Sequence, residues 1–396
     1  MNEKNEHAKT VRTSDVILSL LVPGLGHLAQ GLWAKAGMFL ITLAMLGATL
    51  GLGVAKHRVA WLAGSSDYWF STVMMFIMLA LVWGGALWDL IRSVKRRGAE
   101  ESYLRGYWQM TIQRFSRDPK GIIGMAIILL VIHVAIFAPF LSSGHGVRGV
   151  AGYISPLQHG IKMSLSNFLK APSAMFPLGS DNYGRNIIDF LIFGARVELG
   201  IAVVATFLNM LLGGFLGLLG GYFRGITDAI LMRVLEVINS IPFLVMVILV
   251  ISLWPEGGIV TLMLVLGIFG LQPARIIRSE VLSVRETDYV LSAKAIGVPT
   301  YRILLKYVLP NAIASLIVVT TMSVGVNIIV VAGLSFLGMG VPPTTPSWGG
   351  MLQEAQDYMR TAWWMAVYPG LCIIITVFGF NILGDSLRDV LDPRLR

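Results

Sequence analysis

Long apolar runs alternate along the chain with short polar segments that are mostly basic. Runs without a charged residue fall at 121–141, 199–223, 237–254, 257–274, 307–336 and 361–384, with two more at 36–55 and 68–88. Each is close to the roughly 20 apolar residues that a helix needs to cross the hydrocarbon core of a bilayer. Lipid offers no partner to a free backbone N–H or C=O, so such spans must be helical. The pattern predicts an all-α polytopic membrane protein. Composition strengthens this reading: 55% of the 396 residues are hydrophobic and only 13% are charged, against about 25% charged in soluble domains.

The charges decide sidedness. From Arg92 to Lys120 there are eight Lys/Arg and three acidic residues, and from Arg275 to Lys306 six and three. Short basic segments beside spans lie on the cytoplasmic side. An even number of spans must therefore join the two, and four fit: 121–141, 199–223, 229–254 and 257–274. The runs 307–336 and 361–384 then return the C-terminus to the cytoplasm. The expected architecture is a six-span core over 105–396 with both ends inside, an outer loop at 142–195, and a second, proline-rich outer segment at 339–361.

Residues 1–104 form an extra N-terminal membrane piece. Its hairpin pairs 36–55 with 68–91. The apolar stretch 16–35 is broken by Pro23, Gly24 and Gly26, so a bent span, a re-entrant segment and an interfacial helix all remain open. The hairpin alone restores the cytoplasmic side, which favours a first segment that does not span. The polar start, "MNEKNEHAKTVRTSDV", carries no small-residue cleavage site after its first apolar run, so no removed signal peptide is expected.

The net charge of +9 sits in loops beside spans rather than in a basic face, which argues against nucleic acid. Cys372 is the single cysteine, so neither a disulfide within the chain nor a thiolate metal cluster is expected. The sequence contains no phosphate-binding loop, no H-E-x-x-H, no C-x-x-C and no G-x-S-x-G. Neither enzymatic activity nor a bound cofactor is expected.

Two polar stretches and several positions in or beside the spans carry candidate roles. In "DYVLSAKAIGVPTYRILLKYVLPN" at 288–311, Thr287 and Asp288 can start a helix and Gly297 can end it in the left-handed conformation. Pro299 blocks continuation, Thr300 can cap a second helix, and Pro310 hands over to the next span. Ser292, Ala293 and Ala295 would leave a small surface for a close partner; the alternative is a helical connector. In "GSDNYGRN", Gly179 and Gly184 suit tight turns, and Asp181 and Arg185 are spaced to pair. Folding of the outer loop is favoured there over direct contact with a substrate. Gly213, Gly217 and Gly221 fall on one helix face, as close helix packing requires. Arg233 and Glu236 are spaced to pair near the end of a span, and His133 and Asn327 suit interhelical hydrogen bonds.

The residues also carry a resemblance. "YVLSAKAIG", nine further residues and "YVLP" resemble the EAA signature of bacterial ABC importer permeases, with Leu291 where that family has Glu and Ser292 for the first Ala. "WQMTIQRFSRDPKGIIGMAIILLVIHVAIFAPFL" at 108–141, "FPLGSDNYGRNIIDFLIFGARVELGI" at 176–201, "AGLSFLGMGVPPTTPSWGGML" at 332–352 and the closing segment 363–396 are similar to the C-type permeases of dipeptide and oligopeptide importers. Ser180 and Asn186 stand there for the usual Thr and Asp. The resemblance covers 108–396 in the right order and leaves residues 1–104 outside it.

The resemblance implies the type I ABC importer permease fold and the cell (inner) membrane of a bacterium. It implies a homologous B-type permease, two ABC ATPase subunits that bind the ATP, and an extracellular or periplasmic substrate-binding protein as partners. It implies ATPase coupling through helices within 285–306, with Tyr289, Leu291, Ser292, Ala293, Lys294, Gly297, Leu309 and Pro310 as the contact set. Related systems carry dipeptides, oligopeptides, glutathione, nickel or metallophores, and oligosaccharides. The rival class is a self-contained secondary transporter or channel, which would carry ionisable groups within its spans or inverted repeats; the apolar runs are almost free of charge.

Overall fold

The computed structural model describes residues 40, 42–49, 77, 78, 111, 114–141, 167–254, 258–343 and 345–391. The broken segment at 16–35, most of the hairpin at 36–91 and residues 142–166 of the outer loop lie outside the described residues. Two compact units are present. In the smaller one, residues 42–49 are helical, and Leu46 is buried with Phe137 beside Met78, Ile136 and Leu141. The larger one holds the core.

Helix α1 is Pro119–Ile136, followed by the short α2, Ala138–Leu141. Asp118 starts α1, accepting hydrogen bonds from Lys120 N (3.1 Å) and Gly121 N (3.2 Å), with Pro119 at the first position where no N–H is needed. Ser386 donates a further hydrogen bond to the same carboxylate. That bond, with the two backbone amides, holds the Asp118 carboxyl below the ordinary aspartate value.

Helix α3, Ile187–Phe223, is the axis of the larger unit. At about 1.5 Å per residue its 37 residues reach roughly 55 Å, well past a hydrocarbon core of about 30 Å. Asn186 caps it by accepting from Ile188 N (3.1 Å). It begins twelve residues before the expected span at 199, and the loop expected to run to 195 ends at Asn186. Asp189, Arg196 and Glu198 therefore lie in this helix rather than in a loop, with Asp189 and Glu198 buried. The expectation of charge-free spans holds for 199–223 and fails for the helix that contains it.

The expected single span 229–254 is two helices, α4 (Gly225–Ser240) and α5 (Phe243–Leu253), bent by 83°. Pro242 lacks an N–H and drives the residue before it out of the helical region; Ile241 is extended at φ −90°, ψ 131°. The next run is α6, Gly258–Phe269, and after a turn at Gly270 and Leu271 the chain continues as α7, Gln272–Arg285. The first part of the expected basic loop is thus a helix. Along α3 the three glycines face α7, and a Cβ on Gly217 would lie 2.5 Å from the Ala274 carbonyl. Only a residue without a side chain permits that approach.

Helix α8, Asp288–Ala295, is followed by α9 (Thr300–Ile303), a π turn (Leu304–Val308) and α10 (Leu309–Phe336). The second basic helix is therefore not separate. It runs without a break into the span, with Pro310 in the first turn of α10. The π turn has a packing reason: Ile303 and Val308, five residues apart, are both buried in one cluster. Helix α11, Trp348–Ala355, follows the proline-rich segment, and α12 is Trp364–Leu391. Gly379 lets α12 approach Ile127 of α1, and Gly124 meets the backbone of Gly379 and Leu383. Among the described residues five helical stretches are long and apolar enough to span, or six if the bent pair is one broken span. The all-α, polytopic expectation stands, with five to six candidate spans for the six expected.

Two apolar clusters fix the larger unit. One joins α3, α5, α6 and α10 through Ile201, Val247, Leu266 and Leu334. The other joins α7, α8, α9 and the start of α10 through Ile277, Val281, Val290, Ala293, Ile303 and Val308, with Leu218 and Tyr222 of α3 packed on it. Asn327 donates to Thr206 Oγ1 (2.8 Å), a buried hydrogen bond between α10 and α3.

Candidate functional site

The stretch 288–310 forms a compact hook at the end of α3 that carries Tyr222. Thr287 is the extended residue before α8; its hydroxyl turns back to donate to Val284 O (2.6 Å) instead of capping. Its carbonyl accepts from Val290 N (3.0 Å) and Leu291 N (3.1 Å), and Asp288 places negative charge in the first turn. The helix closes with paired bonds from Val298 N to Ala293 O and from Gly297 N to Lys294 O, both 3.1 Å. That is the Schellman arrangement, and it requires the left-handed φ of +81° at Gly297. Nothing lies within 4 Å of where a Gly297 Cβ would stand, so within the chain the glycine answers to conformation and not to crowding. Pro299, not Thr300, is the residue before α9.

The hook has two faces. Val290 and Ala293 point inward to the second cluster, so Ala293 belongs to the anchor and not to an outward surface. Outward lie Tyr289, Leu291, Ser292, Lys294 and Ala295, together with Ile296 (81% exposed), Tyr301 (62%) and Leu305 (61%). Leu309 is half-buried and Pro310 exposed. Ile296, Tyr301 and Leu305 escaped sequence reading, although apolar residues in a supposedly polar loop were a visible signal. An apolar patch rimmed by Lys294, Arg302 and Lys306 is the kind of surface that meets another protein.

At the other end of α3 the signature 179–186 is a buried staple. Asp181 Oδ1 accepts from Tyr183 N and Arg185 N, each at 2.8 Å, and its other oxygen pairs with Arg185 Nε. Arg185 Nη2 reaches Glu354 Oε2 of α11 at 2.8 Å, and its guanidinium stacks on Tyr183 (4.5 Å) and Phe190 (4.2 Å). Burial pushes the Glu354 carboxyl up, with Asp181 adding to the shift and Arg185 opposing it. Gly179 has φ +89°, and a Cβ there would strike the Trp364 ring at 2.6 Å; Trp364 Nε1 donates to Ser180 O (3.0 Å). Gly184, at φ +75°, turns the chain between Tyr183 and Arg185. Asp181 and Arg185 are almost wholly enclosed, which fits folding of the loop and not contact with a ligand.

Glu198 went unnoticed in the sequence. It is fully buried, and its Oε1 accepts from Gly349 N (3.2 Å) at the start of α11. Trp348 Nε1 donates to Leu191 O (2.9 Å), and Ser347 Oγ accepts from Gly350 N (3.0 Å). The first two bonds lash α11 to α3, and the third caps α11.

Comparison with known proteins addresses the whole arrangement. Residues 210–396 match the family described as "Binding-protein-dependent transport system inner membrane component", and residues 106–147 match the "N-terminal TM domain of oligopeptide transport permease C". The chain is 36% identical over 293 residues to the oligopeptide transport system permease protein OppC of Bacillus subtilis (strain 168), covering 73% of this chain and 90% of that protein. It is 33% identical over 318 residues to the dipeptide transport system permease protein DppC of the same organism, covering 78% and 93%. It is 33% identical over 294 residues to the glutathione transport system permease protein GsiD of Pectobacterium atrosepticum, covering 74% and 93%. With this coverage, and with the bundle and hook in place, the chain belongs to the oligopeptide and dipeptide permease family of binding-protein-dependent transport systems.

Proposed function

We propose that this multi-pass membrane protein is one of two permease subunits of an ATP-driven importer for dipeptides or oligopeptides. One of two ATPase subunits docks on the hook at 288–305 from the cytoplasm, the other on the second permease, and an external binding protein delivers the substrate to the end held by the 179–186 staple. The observation that carries the reading is the two-faced hook: an inner face built into the bundle core and an outer face of exposed apolar residues. Such an element transmits a push, because a displacement of its outer face must displace the spans it is packed on. ATP is bound by the partners, and this chain supplies half of the path between the two permeases. Its N- and C-termini lie in the cytoplasm, a reading that rests on the basic segments being inside and on 16–35 not spanning.

The likeness to a glutathione permease supports a second substrate, a small peptide with an unusual linkage. Proteoliposomes holding the complete complex and its binding protein separate the readings. Uptake of labelled di- to hexapeptides is expected, dependent on ATP and on the binding protein. Uptake of glutathione alone would select the second substrate, and a chain that retains no ATPase subunit on purification would refute the docking role.

A further inference from the structure

The joint between α3 and α4 is gripped by three side chains, two from α7 and one from Glu286 just after it. Helix α3 stops at Phe223, and the next two residues both have positive φ, Arg224 at 53° and Gly225 at 61°. With ψ at −168°, Arg224 occupies a region that suits glycine, and a larger residue stays there only where its surroundings over-determine it. Those surroundings are Glu286, which pairs with the Arg224 side chain, and Arg285, which donates to the Tyr222 carbonyl and lies 5.5 Å from the Tyr222 ring centre. The third grip is Arg278, whose Nε and Nη2 bind the two carboxylate oxygens of Asp228 in the first turn of α4, the latter at 2.6 Å.

Beyond this joint, α4 has little holding it. Leu235 is its one buried residue among those described, in a small cluster with Leu271 and Ala274. Ile226 is 80% exposed and Val237 63%. Between the joint and the bend at Pro242, beyond which Val247 holds α5 in the first cluster, α4 takes its direction from this small cluster, where Met232 and Ile238 also pack, and from the polar contacts at its start. The Arg224–Glu286 pair is open to water and weakly directing. The Asp228–Arg278 pair is partly enclosed, two-pronged and therefore fixed in angle.

We infer that Asp228 and Arg278 are positioning residues that lock α4 to the body carrying the docking hook. Helix α7 runs through Glu286 and Thr287 directly into α8, so the pair makes α4 turn with the hook instead of pivoting between the 224–225 joint and the bend at Pro242. The inference rests on the docking role of the hook proposed above.

Its test uses the Cys372→Ser chain in lipid nanodiscs, spin-labelled at Val237 on α4 and Ser283 on α7. One narrow distance distribution is expected. Asp228→Asn and Arg278→Gln should each broaden it about twofold or more, and the reversed pair, Asp228→Arg with Arg278→Asp, should narrow it again. In the reconstituted complex the same single variants should leave ATP hydrolysis without substrate unchanged and lower peptide transported per ATP about tenfold, the reversed pair recovering it. A purely structural role would lower assembly and hydrolysis together and would give no recovery. Unchanged distances in both single variants, or failure of the reversed pair to recover either readout, overturns the inference. If the unmodified chain retains no ATPase, the docking role fails, and the distances alone then decide whether the pair fixes α4.

Discussion

Gly297 and Asp118 show how much a single position can govern. At Gly297 the chain sits at φ +81° with open space around it, so a substitution is felt through the backbone, at about 1 kcal/mol or more for most side chains. Asparagine tolerates that region better than a β-branched residue does. Gly297→Asn should therefore keep most ATP-driven uptake, whereas Gly297→Val should lose most of it while inserting normally; equal loss in both would mean that a side chain collides with a partner instead. Asp118 behaves differently because its contribution is electrostatic. Its folded pKa lies below the ordinary value of 3.8, so its stabilisation is present above that value and is lost as pH falls through the lowered one. The melting temperature of Asp118→Asn in detergent should thus lie below that of the native chain at pH 6, with the gap closing towards pH 3.

Helix α3 separates two uses of glycine within one element. A Cβ at Gly217 would meet the Ala274 carbonyl at 2.5 Å and Ile277 at 2.9 Å, whereas at Gly200 it would meet nothing within 4 Å. Gly217→Ala should destabilise by about 1–3 kcal/mol, because α3 and α7 must move apart. Gly200→Ala should be neutral or stabilising by up to about 1 kcal/mol through helix propensity. Chemical unfolding of the purified chain distinguishes the two, and a loss at both sites would show that packing is not what sets the first. Much of this element was legible: the glycine spacing pointed to a packing face, and the apolar run at 199–223 to a helix. Its first twelve residues were not, because Asp189, Arg196 and Glu198 give them the polarity of a connector, and the Gly349 amide that meets the buried Glu198 lies 151 residues on. The bend at Pro242 was readable locally and was hidden by the length of the apolar run around it. Nothing local marks the π turn, which is set by where Ile303 and Val308 must point.

The bundle as a whole follows the order of its apolar runs, and the rule about basic segments gives it a direction in the membrane. That direction is open to labelling. In a Cys372→Ser background, a cysteine at Ala174, exposed just before the staple, should react with an impermeant maleimide added outside intact cells. One at Lys294 should react only after permeabilisation and in the absence of the ATPase. Asp181, the obvious choice from sequence, is unsuitable because it is buried. The reverse pattern would invert the molecule and remove the hook from the cytoplasm. The candidate hook was visible in outline in its capping signals. Its inward anchor at Ala293 and its outward patch at Ile296, Tyr301 and Leu305 became apparent only once the second cluster showed which face was taken.

The π turn at Leu304–Val308 has a genetic consequence. Removing one residue from an ordinary helix rotates everything beyond the cut by about 100° and scrambles its packing. Here the helix holds one residue more than an α-helical register needs. Deleting Leu305, which is exposed, would bring Ile303 and Val308 to a spacing of four, still on one face of a regular α-helix. The stretch 304–308 should therefore be a rare tolerant window for single-codon loss within a span. A deletion scan across 300–336, read out as folded protein in the membrane, should show survival there and collapse on either side.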